Sequence, residues 1–435
     1  MVADQWNRFV FIGGFQVFSF IHKLTKPQRT LLFTCFYAFF CNGTLSLVMG
    51  SAMPDIKLAY GLSDTVSGVL LSAHSIGNWA AGFLYGVFAL AFGQKKSVIF
   101  MDAMALAGFI MVMLFGNPVC LFFAFVCLGV GRGSVANFNN ATVNRLSGGS
   151  PAAANLLHAS FAVGAILTPM VFLVLSRAFS WRAGVGYAAA CVALCLALLH
   201  RVRIEEDAGG KTAPTNRSVA FLKNPSYLIL AAMMFFYLCS EYAINGWLVT
   251  YIQNKSELLS GFHASGDALD DAVKAYSQTM ATLLWAIILV GRLICASLSA
   301  KISQKILMMV SSFGVAVFFA VMLMSASIPM VTFAVAGLGL CLAGICPMIY
   351  SDCAPFTNTY VLATSVLLAI GSAGGILMPA VVGALADRFG FTGGMRAILV
   401  SVALLAVCSV LNVVLKNRAP AGNSTEELNL GGERS

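Results

Sequence analysis

The apolar residues of this chain are gathered into blocks of about 20 or more, separated by short polar breaks, and that pattern limits its fold more than any other feature. A helix of that length crosses a hydrocarbon layer of about 30 Å with its backbone polar groups satisfied internally. Apolar residues make up 59% of the 435 and charged residues 10%, against about 25% charged in an ordinary soluble domain. These proportions exclude a disordered chain, a disulfide scaffold and a soluble enzyme. At about 36 residues per span and loop, the length predicts roughly twelve spans.

The blocks predict spans near 29–52, 65–89, 97–116, 119–142, 152–177 and 182–201, and a second set near 225–252, 274–299, 303–325, 328–352, 359–386 and 393–416. The expected organisation is an N-terminal segment 1–28, a six-helix bundle 29–201, a polar linker 202–223, a second bundle 224–416 and a disordered tail 417–435. Residues 9–21 are apolar but too short to span, and they lack the basic start and small-residue cleavage site of a signal peptide. An interfacial helix is expected there. The loop from Asn254 to Lys274 is acidic.

Net charge is +9. Most of the basic residues lie in short loops, so the excess reports topology rather than nucleic-acid binding. With the N-terminus inside, seventeen Lys and Arg fall on the inner side and seven on the outer, which predicts both termini in the cytoplasm. The twelve cysteines are scattered through the apolar blocks without a CxxC pair or metal-ligand spacing. No metal site, cofactor or paired catalytic motif is expected.

The halves resemble each other. A shift of 210 residues places Gly164-Ala-Ile-Leu-Thr-Pro169 on Gly374-Gly-Ile-Leu-Met-Pro379. A shift of 208 places Phe125, Gly129 and Gly131 on Phe333, Gly337 and Gly339. Two parallel six-helix repeats joined by a linker form a transporter architecture, with the solute expected near the midplane between the halves.

Polar groups stranded in spans are the candidates for function, because a charge at a span centre costs about 2.5–3.5 kcal/mol on insertion scales. Glu241 lies mid-span, with Asn245 one turn on. It reads as a solute ligand or proton carrier, or else as a structural hydrogen-bonding group. Arg132, flanked by Gly131 and Gly133, reads as an anion ligand, as a regulator of a proton site, or as the partner of Glu241 in a latch between the halves. Asn137, Asn139 and Asn140 follow it. His74 with Asn78, His158, and Asn42 with Ser46 one turn away, add polar groups inside spans two, five and one. Trp247 and Trp285 read as stacking platforms or as packing residues. Asp102 and Arg292 read as gating or snorkelling residues near cytoplasmic span ends.

On these features the chain resembles the major facilitator superfamily. After span eleven, Gly383-Ala-Leu-Ala-Asp387-Arg388-Phe-Gly390 matches the form of its signature loop, Gly-x-Leu-Ala-Asp-Arg-x-Gly. After span two, the usual place, Gly86-Val-Phe-Ala-Leu-Ala-Phe-Gly93-Gln-Lys95-Lys96 lacks the acid and the first base. The resemblance implies gating roles for Lys95, Lys96, Asp387 and Arg388. Arg132 stands where the superfamily carries a span-four arginine linked to proton coupling. Within the superfamily the chain is most similar to the fucose/hexose proton-symporter branch, through Asn155-Leu-x-His158 with Gly164-Ala165, Tyr237…Glu241…Trp247…Tyr251, and Gly371-x-Ala-Gly374-Gly375 with Pro379. That branch carries coupling carboxylates in spans one and four, where this chain has Gly50 and Gly133. Glu241 is left as the default proton site.

The resulting expectation is a monomeric secondary transporter of the plasma or bacterial inner membrane. It would move a small polar solute, sugar-like by resemblance, with protons or another ion. Asn42, Asn137 and Asn245 would bind the solute, and Arg132 would tune Glu241. The competing expectations are an organic-anion or drug transporter with Arg132 as anion ligand, and a non-transporting solute sensor.

Overall fold

In a computed structural model, residues 21–22, 24–204, 218–262, 264–299, 301–360 and 362–415 are described. Residues 1–20, 205–217 and 416–435, where the interfacial helix, most of the linker and the tail are expected, lie outside the described residues. The first half comprises α1 (Lys26–Tyr60), α2 (Asp64–Phe92), α3 (Gln94–Leu114), α4 (Pro118–Leu146), α5 (Pro151–Ala178) and α6 (Trp181–Arg201). The second begins with α7 (Pro225–Gln253), α8 (Asp267–Leu298), α9 (Gln304–Met324) and α10 (Ile328–Asp352), the last interrupted at Ala343 and Gly344. A 52-residue helical run, Ala363–Val414, follows. Unbroken, it would be about 78 Å long, more than twice a bilayer's hydrocarbon thickness. Gly390, at φ 73° and ψ 167°, turns the chain and divides the run into α11 (363–389) and α12 (391–414). The fold is therefore all-helical, with twelve crossings in two parallel six-helix repeats.

Helix starts follow local chemistry. Pro27, Pro118 and Pro225 sit in first turns, where a missing N–H costs nothing. Ser63, Asn117 and Asn224 cap α2, α4 and α7 by accepting from backbone N–H groups of their first turns. The helices overrun the apolar blocks. α1 continues through Pro54 to Tyr60, because an interior proline removes one hydrogen bond without having to end a packed helix. Three acids of the supposed loop before span eight belong to α8 itself. Asp267, Asp270 and Asp271 lie in its first turns, where the exposed N–H groups favour negative charge.

The repeat is visible in packing. A Cβ on Gly164 would lie 2.1 Å from the Phe40 carbonyl oxygen of α1, and one on Gly374 2.3 Å from the Phe235 carbonyl oxygen of α7. Both positions need glycine for close helix approach. One on Gly129 would meet the His74 carbonyl oxygen of α2, and one on Gly339 the Leu284 carbonyl oxygen of α8. Gly129 therefore corresponds to Gly339, at the same 210-residue shift as Gly164 and Gly374. The expected shift of 208 is corrected: it pairs Gly129 with Gly337, which packs on Phe318 of α9 instead. α1 and α7 are related by a smaller shift, Phe40 to Phe235, because the α7–α8 connection is longer than the α1–α2 turn.

Candidate functional site

A cavity of about 400 Å³ lies between the halves. Its walls come from α1, α2, α4 and α5 on one side and α7, α8, α10 and α11 on the other. We call the face where α1 begins and α6 ends the linker face, and the opposite one the distal face. The cavity runs from mid-helix residues such as His74 and Asn245 toward linker-face residues such as Asn140 and Tyr350.

Every hydrogen bond and ion pair between described residues of opposite halves lies at mid-depth or nearer the distal face. Lys274 of α8 donates to Asp55 of α1 at 2.8 Å. Gln278 Nε2 donates to the Ser51 carbonyl at 2.9 Å, and Thr282 Oγ1 to the Ile166 carbonyl at 3.1 Å. Arg177 Nη2 donates to the Asp271 carbonyl at 2.7 Å. Asp387 at the end of α11 accepts from the backbone N–H groups of Asp64 and Thr65 at 2.9 and 2.8 Å, capping α2 across the interface. Asp64 itself pairs with Lys57. Three backbone contacts complete the seal. A Cβ on Gly50 would fall 2.4 Å from the Asn245 carbonyl oxygen, one on Gly68 2.5 Å from that of Pro379, and one on Gly383 2.2 Å from that of Asp64. No side chain fits at any of the three. The halves are closed together on the distal side, and the cavity faces the linker side.

The cavity brings together Asn42, His74, Asn78, Arg132, His158, Glu241, Asn245 and Trp285. Asn42 Nδ2 donates to the Arg132 carbonyl at 2.8 Å. His158 lies edge-on to Phe39, with centroids 5.3 Å apart. Trp285 Nε1 donates to Asn245 Oδ1 at 3.1 Å, and its ring meets Phe161 across the interface, centroids 5.4 Å apart. Arg132 Nη1 is 3.4 Å from the Tyr242 hydroxyl, with the guanidinium 5.7 Å from the ring centroid.

Several expectations change. Arg132 and Glu241 form no ion pair within 4 Å, so they are not a direct latch. Arg292 is not a snorkelling residue at a helix end. It lines the cavity together with Arg132 and Glu241. Asp102 does not snorkel, being enclosed within the first bundle at 2% exposure. Trp247 is fully buried outside the cavity. It donates to the Pro379 carbonyl at 3.1 Å and packs on Phe391. Asn137 turns away and lies 3.5 Å from the Ala81 carbonyl, whereas Asn140 lines the cavity. Lys95, beside Lys96, has no partner in the other half among the described residues. It donates to the His200 and Val202 carbonyls at the end of α6. Of the four expected gating residues, Asp387 alone bonds across the halves among the described residues, and it acts as a helix cap. The interruption in α10 is a further difference from the single span expected over 328–352. Its signal was present in Ala343-Gly344 before Pro347, where a glycine and a proline lie close together inside one apolar block.

The same architecture recurs in solved structures of low sequence identity. A bacterial homologue of the human lysosomal transporter Spinster, in an inward-facing and unoccupied conformation, superposes with a TM-score of 0.73 at 12% identity, covering 89% of this chain and 97% of that one. The nucleoside transporter NupG gives 0.70 at 14% identity, covering 90% of this chain and all of that one. A peptide transporter, POT, in complex with sulfate gives 0.67 at 15% identity, covering 88% and 94%. At these identities the likeness shows the fold. The sequence profile of the Major Facilitator Superfamily matches residues 35–354, well over half of the chain. With its multi-pass helices and a cavity enclosed between two repeats, this chain belongs to the Major Facilitator Superfamily of membrane transporters.

Proposed function

We infer that the chain is a secondary transporter that moves a small polar solute by alternating access, with Glu241 as the proton-coupling group. The observation that carries this reading is the cavity between the repeats, sealed on the distal side and facing the linker side. A rocking of one half against the other would break the distal bonds and expose the same residues to the opposite face. The linker face is the cytoplasmic one by the distribution of Lys and Arg, so the conformation is inward-facing, and the protein works as a monomer. The cavity volume is in the range of small-molecule sites.

Asn42, Asn78, Asn245 and the histidines His74 and His158 supply neutral hydrogen-bonding groups, and Trp285 supplies a ring. Glu241 is the sole carboxylate lining the cavity among the described residues. Its role as proton carrier is supported by that position, on a cavity wall shared with Arg132, Arg292 and Tyr237. Arg132 and Arg292 would hold its ionised form once the proton has left.

The test is accessibility. A cysteine placed at Ser372 and one placed at Thr65, in a background lacking reactive native cysteines, report on opposite faces. Solute should raise labelling at one and lower it at the other. Parallel changes at both sites would remove alternating access.

A further inference from the structure

The charge of the cavity is not balanced. Among its lining residues Arg132, Arg292 and Glu241 carry the formal charges, two positive and one negative. The two arginines come from opposite halves, Arg132 from α4 and Arg292 from α8. Neither is within 4 Å of a carboxylate among the described residues. In both, the Nε atom is buried and has no hydrogen-bond partner among the described residues. Lys255, a buried cation at 3% exposure, by contrast donates to the Tyr251 hydroxyl and the Leu323 carbonyl, both at 2.8 Å. The two cavity guanidinium groups keep donor capacity that no carboxylate among the described residues takes up within 4 Å.

A cation within a membrane-spanning segment is costly and is kept where it faces a partner or a water-filled cavity, so two arginines on a cavity lined by a single carboxylate suit a counter-charge that arrives with a ligand. Guanidinium offers a planar fork of donors suited to the oxygens of an acid group. The remaining walls are unlike those of a site for a bare inorganic ion. Phe39, Phe161, Tyr242 and Trp285 present rings, and Leu71 and Met234 present aliphatic surface.

Building on the transporter reading above, we propose that the solute is a small organic monoanion, a carboxylate on an apolar or aromatic body, with its acid group held between Arg132 and Arg292. With Glu241 ionised the site has one uncompensated positive charge, and one carboxylate neutralises it. The body of the solute lies against Trp285 and Phe161, the aromatic pair that joins the halves. Because the arginines belong to different halves, the anion draws α4 and α8 together on the linker side, which is the movement that closes this face. A neutral hexose brings no counter-charge and has no equivalent effect.

The experiment measures ligand-induced thermal shift and intrinsic tryptophan fluorescence on the purified full chain, with benzoate, benzamide, D-glucose and inorganic phosphate as probes. Benzoate is expected to stabilise the protein and change its fluorescence, with the other three giving little. Arg132→Gln and Arg292→Gln should each weaken benzoate binding at least tenfold. Arg132→Lys and Arg292→Lys keep the charge without the fork and should fall between. A monodisperse size-exclusion profile for the lysine variants guards against reading misfolding as lost affinity.

Stabilisation by D-glucose without benzoate, benzoate affinity unchanged in Arg292→Gln, or no response to benzoate each overturns the proposal. A response to phosphate equal to that of benzoate overturns the organic body. Counterflow in proteoliposomes separates this proposal from the reading it rests on. Benzoate binding without counterflow of benzoate removes transport and leaves the anion site. Counterflow of D-glucose that benzoate does not inhibit removes the anion site and leaves transport.

Discussion

Arg177 and Asp387 occupy the same position in the two repeats, 210 residues apart, and each fastens the end of its helix to the opposite half. Arg177, ending α5, reaches the Asp271 carbonyl in the first turns of α8. Asp387, near the end of α11, reaches the first N–H groups of α2. The two clasps are opposite in charge and unequal in strength. Arg177 and Asp271 are both well exposed, with their charged atoms 3.6 Å apart, and such pairs contribute about 0–1 kcal/mol. Asp387 caps two otherwise unpaired helix donors, an arrangement worth about 1 kcal/mol.

Asp387→Ala should therefore open the distal face more than Arg177→Ala does. An effect of about 1 kcal/mol is roughly a fivefold shift in population, read as faster labelling of a cysteine placed at Thr65. Asp387→Asn, which can still cap, should stay near the parent rate. Equal rates for the alanine variants at Asp387 and Arg177 would show that the cap does not hold the seal.

Gly50→Leu should disable the distal-closed state. Its Cβ would stand 2.4 Å from a main-chain oxygen, which cannot rotate away as a side chain can. Uptake is expected to fall at least tenfold while the protein stays folded, and distal cysteines should label readily even without solute. Gly82→Leu, at a position with open space around its Cβ, is the control and should leave uptake close to the parent.

Glu241→Gln should separate coupling from movement. Counterflow, which needs no net proton movement, should persist. Accumulation driven by a pH gradient should be lost. A Glu241→Gln protein that still concentrates solute under that gradient would assign coupling to another group.

The two tryptophans that look alike in the sequence should behave differently. Trp247→Phe removes a buried hydrogen bond to the Pro379 carbonyl, at a cost of about 0.5–1.5 kcal/mol. Its apparent melting temperature should fall with solute affinity unchanged. Trp285→Phe loses a bond to Asn245 on the cavity wall and should weaken solute binding more than stability.

The fold was largely legible because lipid imposes a coarse rule: length and apolarity of blocks decide crossings, and glycines 210 residues apart betray the repeat. Most of the cavity residues were legible for the same reason, since a polar group inside a span stands out. What failed was depth and direction. Arg292 lies six residues from the end of α8, and sequence position placed it near the membrane edge. The open cavity reaches to its level from the linker side, so the guanidinium meets the cavity instead. Trp247 and Asn137 sit on the right helices but point elsewhere, and helical periodicity cannot tell a wall facing a cavity from one facing a neighbouring helix. The clasp by Asp387 depends on α2 starting in register with the end of α11, a relation between segments more than 300 residues apart.

The three backbone contacts of the distal seal have a consequence for how the molecule tolerates change. Side chains that lock an interface must give up rotamers each time it closes, and each frozen long side chain costs up to about 1.5–2 kcal/mol. Gly50, Gly68 and Gly383 have none to give up. Closing and releasing such a seal leaves side-chain entropy nearly untouched, which suits a joint that must part and re-form in every cycle. The same economy concentrates fragility. The backbone contacts of the joint depend on three residues whose contribution is the absence of a single carbon atom each.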